Sequence, residues 1–349
     1  MPSFRSATVR ALISERVGLQ RVETDAGRAY VLTELIGPVA VGDRVVVNTT
    51  AVELGLGTGG WHVVHWNLSR DEWRAAGPGH VMKLRYTSLQ SDTGSIEELD
   101  AGSLAEADDL DGMPVVACGL HSQVACVAAA LKHAAPEARI AYVMTDGAAL
   151  PMALSDLVAS MREADLVDVT FTAGQAFGAE HEAVNVPSAL VAARRVAGAD
   201  VAIVAMGPGV AGTATKLGYS ALETGPELDT ADLLGGRPVA ALRFSMADPR
   251  LRHQGVSHHT RTALSLATRS RVTIGVPRGG WEARVMADLD AAGLLDRHRV
   301  VSVDDPNVPD LLAQRDLRVT TMGRGPEDDP GFYAVAGAAG TVAAGLLRS

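Results

Sequence analysis

The sequence predicts a small N-terminal β-barrel or sandwich followed by a doubly wound, mostly parallel α/β domain of Rossmann-like form. Three observations predict it. Short Val/Leu/Ile/Thr runs split by turn residues occupy 1–90. Apolar strand-like runs alternate with runs of helical spacing over 113–349. Between them, 91–112 carries eight Asp or Glu and no Lys or Arg. A chain of 349 residues also exceeds one ordinary hydrophobic core, so two domains are expected.

In the first part, strands are expected at 6–13, 17–24, 29–33, 44–49 and 61–66. They are separated by Asp25-Ala26-Gly27, Gly37-Pro38, Gly42-Asp43 and the glycines of 57–60. Turn chemistry at this spacing marks a small barrel or sandwich. His62 and His65 are expected on opposite faces of the last strand, which makes them poor joint metal ligands. The acidic stretch 91–112 reads as a solvated linker or a strap.

In the second part, strands are expected at 115–118, 139–144, 166–171, 200–205, 238–242, 271–276 and 299–303. Helices are expected at 122–133, 152–163, 185–197, 213–223, 259–269, 280–292 and roughly 331–347. Alternating βα units with wholly apolar strands imply a parallel sheet covered on both faces. Gly337, Gly340 and Gly345 in the last helix let it lie close against a neighbour.

Composition limits the function. The net charge of -10 argues against a general affinity for nucleic acid or acidic membranes, while a local basic patch can still hold a small anion. No apolar run is long enough to span a bilayer. Cys118 and Cys126 read as buried free thiols, and two cysteines make no disulfide framework, which fits a reducing cytoplasm. Arginine far outnumbers lysine (Lys83, Lys132 and Lys216) and alanine is abundant, as in a GC-rich bacterial genome.

In a doubly wound sheet every strand-to-helix loop falls on one edge, where ligands bind. Five such loops carry the polar residues. The first holds His121 and Ser122, with Ser122 read as a helix cap because the flanks fail the nucleophile-elbow pattern. The second holds Asp146. The third holds His181 between Glu180 and Glu182, read as a solvated loop histidine.

The fourth loop, Gly207-Pro208-Gly209-Val210-Ala211-Gly212-Thr213, matches G-x-G-x-x-G, with Thr215 and Lys216 following. Its glycines would let backbone N–H groups meet a phosphate or carboxylate at a helix N-terminus. A dinucleotide fits less well. The motif is late, Pro208 interrupts it, and no acid ends the next strand, although Arg243 there would suit a 2′-phosphate. A tight structural turn is the remaining reading.

The fifth loop, 243–260, is the densest in groups that bind or titrate: Arg243, Asp248, Arg250, Arg252, His253, Ser257, His258, His259 and Thr260. Arg243, Arg250 and Arg252 would make a cationic clamp. Ser257 or Thr260 would cap the following helix. A metal site using Asp248, His253 and one of His258 or His259 is weighed and not adopted. The spacing fits no standard zinc pattern, and adjacent histidines rarely both ligate one ion. A hydrogen-bonded structural corner stays open as well.

Several motifs together resemble the bacterial domain-of-unknown-function family 3866. They are Lys83-Leu84-Arg85-Tyr86-Thr87-Ser88-Leu89-Gln90, Leu120-His121-Ser122, Thr145-Asp146-Gly147-Ala148-Ala149-Leu150-Pro151 and Gly174-Gln175-Ala176-Phe177-Gly178. Further along come Gly207-Pro208-Gly209 with Gly212-Thr213, Asp248-Pro249-Arg250 and the run from His253 to Thr260. Asp329-Pro330-Gly331-Phe332-Tyr333 and Ala336-Gly337-Ala338-Ala339-Gly340 complete them. The resemblance covers nearly the whole chain and implies no activity, cofactor or catalytic residue.

The functional expectation is therefore an enzyme acting on a small anionic metabolite, phosphorylated or nucleotide-like. Gly207, Gly209, Gly212, Thr213 and Lys216 would hold the anion, with Arg243, Arg250, Arg252 and Ser257. His121, His253 or His258 would move protons, and Asp146 or Asp248 would orient one of them. The alternative is a non-catalytic sensing or assembly protein using the same edge. No cofactor is named, no nucleic-acid or membrane partner is expected, and homo-oligomerisation is left open.

Overall fold

The computed structural model describes residues 1–348, which form two compact units that divide after Gly94. The first is a closed barrel of β1 (Phe4–Arg16), β2 (Leu19–Thr24), β3 (Gly27–Leu32), β4 (Arg44–Asn48) and β5 (His62–Asn67), in the order β1-β2-β3-β5-β4. One long strand closes it. The first half of β1 pairs with β4 and the second half with β2, with register shifts after Val9 and Leu12. Such bulges bend a strand enough to serve two neighbours. Val9, Val22, Ala29, Val31, Val45 and Val47 fill the interior. His62 points inward, its Nε2 3.1 Å from the Ala26 carbonyl, while His65 lies against Phe4. The expected opposition of these two histidines holds. A two-residue ladder of β6 (Met82–Lys83) and β7 (Ser91–Asp92) completes the unit.

The second unit contains β8 (Pro114–Cys118), β9 (Ile140–Thr145), β10 (Val169–Ala173), β11 (His181–Ala183), β12 (Val201–Met206) and β13 (Arg237–Ala241). A short antiparallel ladder of β14 (Phe244–Ser245) and β15 (Gly255–Val256) follows, then β16 (Thr273–Pro277) and β17 (Arg299–Val303). Eight strands form one parallel sheet in the order β11-β10-β9-β12-β8-β13-β16-β17. The predicted barrel followed by a Rossmann-like α/β unit is what forms. Among the described residues, no helix is long and apolar enough to cross a membrane.

With few aromatics, the core depends on close approach of small side chains. The helix His121–Ala134 is buried along most of its length, and the last helix, Pro330–Leu346, packs directly on it. A Cβ on Gly340 would lie 2.2 Å from the Val127 carbonyl oxygen, and one on Gly337 would strike Val308. Gly345 has no such neighbour. Gly340→Val is thus expected to cost about 1–3 kcal/mol through overpacking. Urea unfolding of the variant checks it, because the obstacle is backbone and cannot rotate away.

Four local expectations are corrected. The helix expected at 213–223 is absent. Thr213 N–H and its hydroxyl both bond the Gly218 carbonyl, and Thr215 Oγ1 takes the Gly218 N–H, so side chains hold a turn where a helix would need free backbone. The helix begins a turn later, as a 3-10 segment Ser220–Glu223 running into Thr224–Leu233. His181 lies on edge strand β11 against Phe171, with ring centroids 4.9 Å apart, instead of in a solvated loop. Ser122 is not the cap of its helix. Leu120 holds that position, and Gln123 Oε1 accepts the Leu120 N–H.

The acidic stretch is not a loose linker. It forms short helices Ile96–Leu99 and Ala101–Leu104, and Asp109 and Asp111 pair with Arg195 and Arg194 at 2.7 Å. Cys118 and Cys126 are buried and free, as expected.

Candidate functional site

The sheet order creates a crevice. From β8 the chain departs toward β9 on one side, and from β13 toward β16 on the other, although β8 and β13 are neighbours. Their carboxyl ends therefore diverge, which is where open α/β sheets bind ligands. A cavity of about 20 Å³ sits there, lined by Gly119, Ala241, Arg243, His259 and Thr260 among others. That is room for roughly one water.

The second crevice, between β9 and β12, is closed. Ala149 N–H bonds the Pro208 carbonyl at 3.1 Å, and a Cβ on Gly207 would lie 2.6 Å from the Ala149 oxygen. Gly207 thus serves loop-to-loop packing. Gly209 adopts φ +99° in an open position.

The stretch after β13 folds back on itself. Ser257 N–H bonds the Arg243 carbonyl at 2.8 Å, and Thr260 Oγ1 accepts the Arg243 N–H at 3.1 Å. Its centre is Asp248, 1% exposed. Arg250 grips this carboxylate through Nε and Nη2, both at 2.9 Å, while Arg243 and Arg324 lie at 3.6 and 3.7 Å. Burial works against the charge on Asp248, but the Arg250 hydrogen bonds outweigh it and hold the carboxyl far below the usual range. A second buried acid, Asp329, accepts from Ser245 Oγ, Met246 N–H and Arg324 Nε. Arg243 is itself lowered to about 10, by burial first and by neighbouring arginines next.

Against this scaffold sit three imidazoles. Ser257 caps the helix His258–Thr262 by accepting the His259 N–H, which fixes His258 and His259 beside His253. The ring centroids are 4.9 Å (His253 to His258), 4.8 Å (His253 to His259) and 4.3 Å (His258 to His259) apart. One ring nitrogen from each lies within 4.8 Å of the others. His253 Nδ1 is 2.7 Å from Ser257 Oγ, and His259 Nδ1 is 3.3 Å from Arg243 Nη1. The Nε2 atoms of all three are buried without a hydrogen-bond partner. Burial, then nearby arginines, push His253 and His259 down to about 3, and lower His258 as well. All three are neutral near pH 7.

Not every predicted site residue joins this group. His121 Nε2 is 2.7 Å from Ser155 Oγ, and its Nδ1 is held by Tyr142 and the Met206 carbonyl; burial lowers it to about 4. Both nitrogens are occupied. Asp146 accepts the Gln175 N–H at 2.9 Å. Asp248 bonds no imidazole. Thr213 is spent on its own turn and Lys216 is exposed. The glycine loop does reach the site, since a Cβ on Gly212 would lie 3.6 Å from His259 Cε1.

Sequence reasoning missed Tyr219, which stacks on His259 at 3.8 Å and donates to its carbonyl. It also missed Arg261, Arg324 and Asp329, although Asp329 belongs to one of the quoted motifs. Glu223 and Glu227 escaped notice too. Burial raises both carboxyls, and Glu223 accepts from Thr145 at 2.5 Å.

The family described as "Protein of unknown function (DUF3866)" matches the chain over residues 28–340. No curated protein and no solved structure matches it.

Proposed function

We propose, for a chain that belongs to the DUF3866 family of proteins of unknown function, an enzyme acting on a small anionic metabolite bound at the carboxyl edge of the parallel sheet. One observation carries the reading. At the crevice beside β13, the guanidiniums of Arg243, Arg250 and Arg324 share two carboxylates, Asp248 and Asp329, while the charges of Arg252 and Arg261 act on His258. Among the described residues, Arg252 and Arg261 pair with no carboxylate, and the Nε atom of each is buried without a partner. Unpaired buried donors of one sign are costly, and a bound anion removes that cost.

A non-catalytic sensing protein is the second reading, and one observation favours it. Imidazoles held near 3 do not exchange protons close to neutral pH until a ligand changes their surroundings. The proposal includes a bacterial cytoplasm, without nucleic acid or membrane as partner; arginine-rich composition and two buried thiols support the location.

A thermal-shift panel of inorganic phosphate, sugar phosphates, nucleotides and di- and tricarboxylates tests the anion site. A ligand well above its dissociation constant is expected to add about 2–4 kcal/mol of stability, and Arg252→Ala is expected to reduce the shift by about 1.4 kcal/mol or more. Mass spectrometry of the stabilising ligand after incubation then separates the readings. Conversion supports the enzyme, and an unchanged ligand supports the sensor. A flat panel removes both.

A further inference from the structure

The polarity of the three-histidine cluster says which kind of ligand it takes. A neutral imidazole has one N–H and one lone pair. Arginine can only donate, so His259 Nδ1 must accept from Arg243, 3.3 Å away, and its proton resides on Nε2. Ser257 Oγ already accepts the His259 N–H, and its own proton needs an acceptor. His253 Nδ1 at 2.7 Å is that acceptor, so His253 also carries its proton on Nε2. Two buried N–H groups of the cluster are therefore without acceptors, as are the Nε–H groups of Arg252 and Arg261, whose charges act on His258.

We propose that ring nitrogens of His253, His258 and His259 hold one oxygen of a phosphoryl group, with Arg252 and Arg261 completing its donors. This rests on the anion-site reading above and narrows it. A metal ion fits the same residues less well. Metal-bound histidines normally donate their other N–H to an acceptor behind them, whereas His259 has a guanidinium there.

Spacing permits it. With the nitrogens no more than 4.8 Å apart, one point lies within about 2.8 Å of all three (4.8 divided by √3), and the upper end of that range is an N–H···O distance. Charge separates phosphoryl from a monocarboxylate. Arg252 and Arg261, whose charges act on His258, add to three guanidiniums that share two carboxylates, and a dianion offsets that excess better than a monoanion. A dianion also favours a second proton on His253, where the Ser257 hydroxyl can turn to accept from Nδ1, but not on His259, whose Nδ1 faces Arg243.

Calorimetric titration of the full chain tests this, using inorganic phosphate, a sugar phosphate, acetate and citrate, with cobalt(II) in a separate experiment. Phosphate or the phosphomonoester is expected to bind at one site per chain, and the stronger of the two names the source. Arg252→Ala, at a residue that pairs with no carboxylate among the described residues and whose Nε is unpartnered, is expected to weaken binding about tenfold or more. Circular dichroism confirms that this variant still folds. Equal affinity for acetate or citrate overturns the phosphoryl assignment and leaves the anion site standing. Binding by none of the four anions overturns both. Stoichiometric cobalt(II) with ligand-field bands lost in His259→Ala, and no phosphate binding, overturns the assignment in favour of a metal centre.

Discussion

Replacing Asp248 by asparagine is expected to remove about 3–5 kcal/mol of stability, the range for breaking a buried ion pair from one side. The carboxylate is 1% exposed and bonded or paired to Arg250, Arg243 and Arg324. Asparagine keeps the shape but deletes the charge, so Arg243, itself only 7% exposed at the side chain, is left buried without compensation. Urea unfolding followed by circular dichroism reads the loss. A loss under about 1 kcal/mol would mean the pairing is worth no more than a surface bridge.

The double variant Asp248→Asn with Arg250→Ala should lose less than the sum of the single losses, because the two residues share one interaction. The sign of the pH dependence is also fixed. The folded carboxyl titrates far below the ordinary carboxylate value near 3.9. Its contribution is thus complete above about pH 4 and disappears only as pH falls further. Asp248 is therefore an anchor that sets the arginines in place. That is a different role from the one its position in a polar loop implied.

What was legible in the sequence was what periodicity encodes. Wholly apolar runs such as Val115–Cys118 and Val201–Ala205 have one stable location, between two helix layers, and they lie there. The alternation in β2 and β3 gave the barrel its inner face. Edge strand β11 was not legible. It is only three residues long, and its middle residue, Glu182, accepts from Thr172 and from the Gly178 N–H.

The glycine loop left an anion site and a tight structural turn open, and the hydrogen bonds that follow it form a turn. Its residues suit a phosphate turn, but the tests of that reading are the start of a helix and free N–H groups. Thr213, Thr215 and Gly218 use those groups among themselves. The histidine cluster was legible as residues and not as geometry. Adjacent His258 and His259 diverge on a regular helix. The Ser257 cap, the Tyr219 stack and the Arg243 contact instead hold both against His253. Those partners come from three separate segments.

The same geometry is expected to make the protein acid-labile through its histidines, opposed in part by Glu223 and Glu227, whose raised carboxyls take up protons first in the folded state. His253 and His259 are held at about 3 and His121 at about 4, against about 6.5 in an unfolded chain. Above pH 6.5 neither state is protonated and stability is complete. As pH falls, the unfolded chain binds protons that the folded one refuses. Stability then drops by on the order of 1.4 kcal/mol per pH unit for each such histidine, until the folded values are reached.

The groups responsible can be named. Burial leads for all three. Arg243 and Arg250 repel a charge on His253, which Asp248 attracts and His258 opposes. Arg243, His258, His253 and Arg252 oppose one on His259, under the Tyr219 ring. His121 faces Tyr142, Ser155 and the Met206 carbonyl. Unfolding free energies measured from pH 8 to pH 5 should show this slope beginning near 6.5, and a flat profile between 7 and 5 would contradict it.

Saturating phosphate should then flatten part of the slope. A dianion beside His253, whose Nδ1 faces the adaptable Ser257 hydroxyl, lets the folded state bind a proton it otherwise refuses, while His121 is unaffected. A slope that phosphate leaves unchanged would place the anion elsewhere.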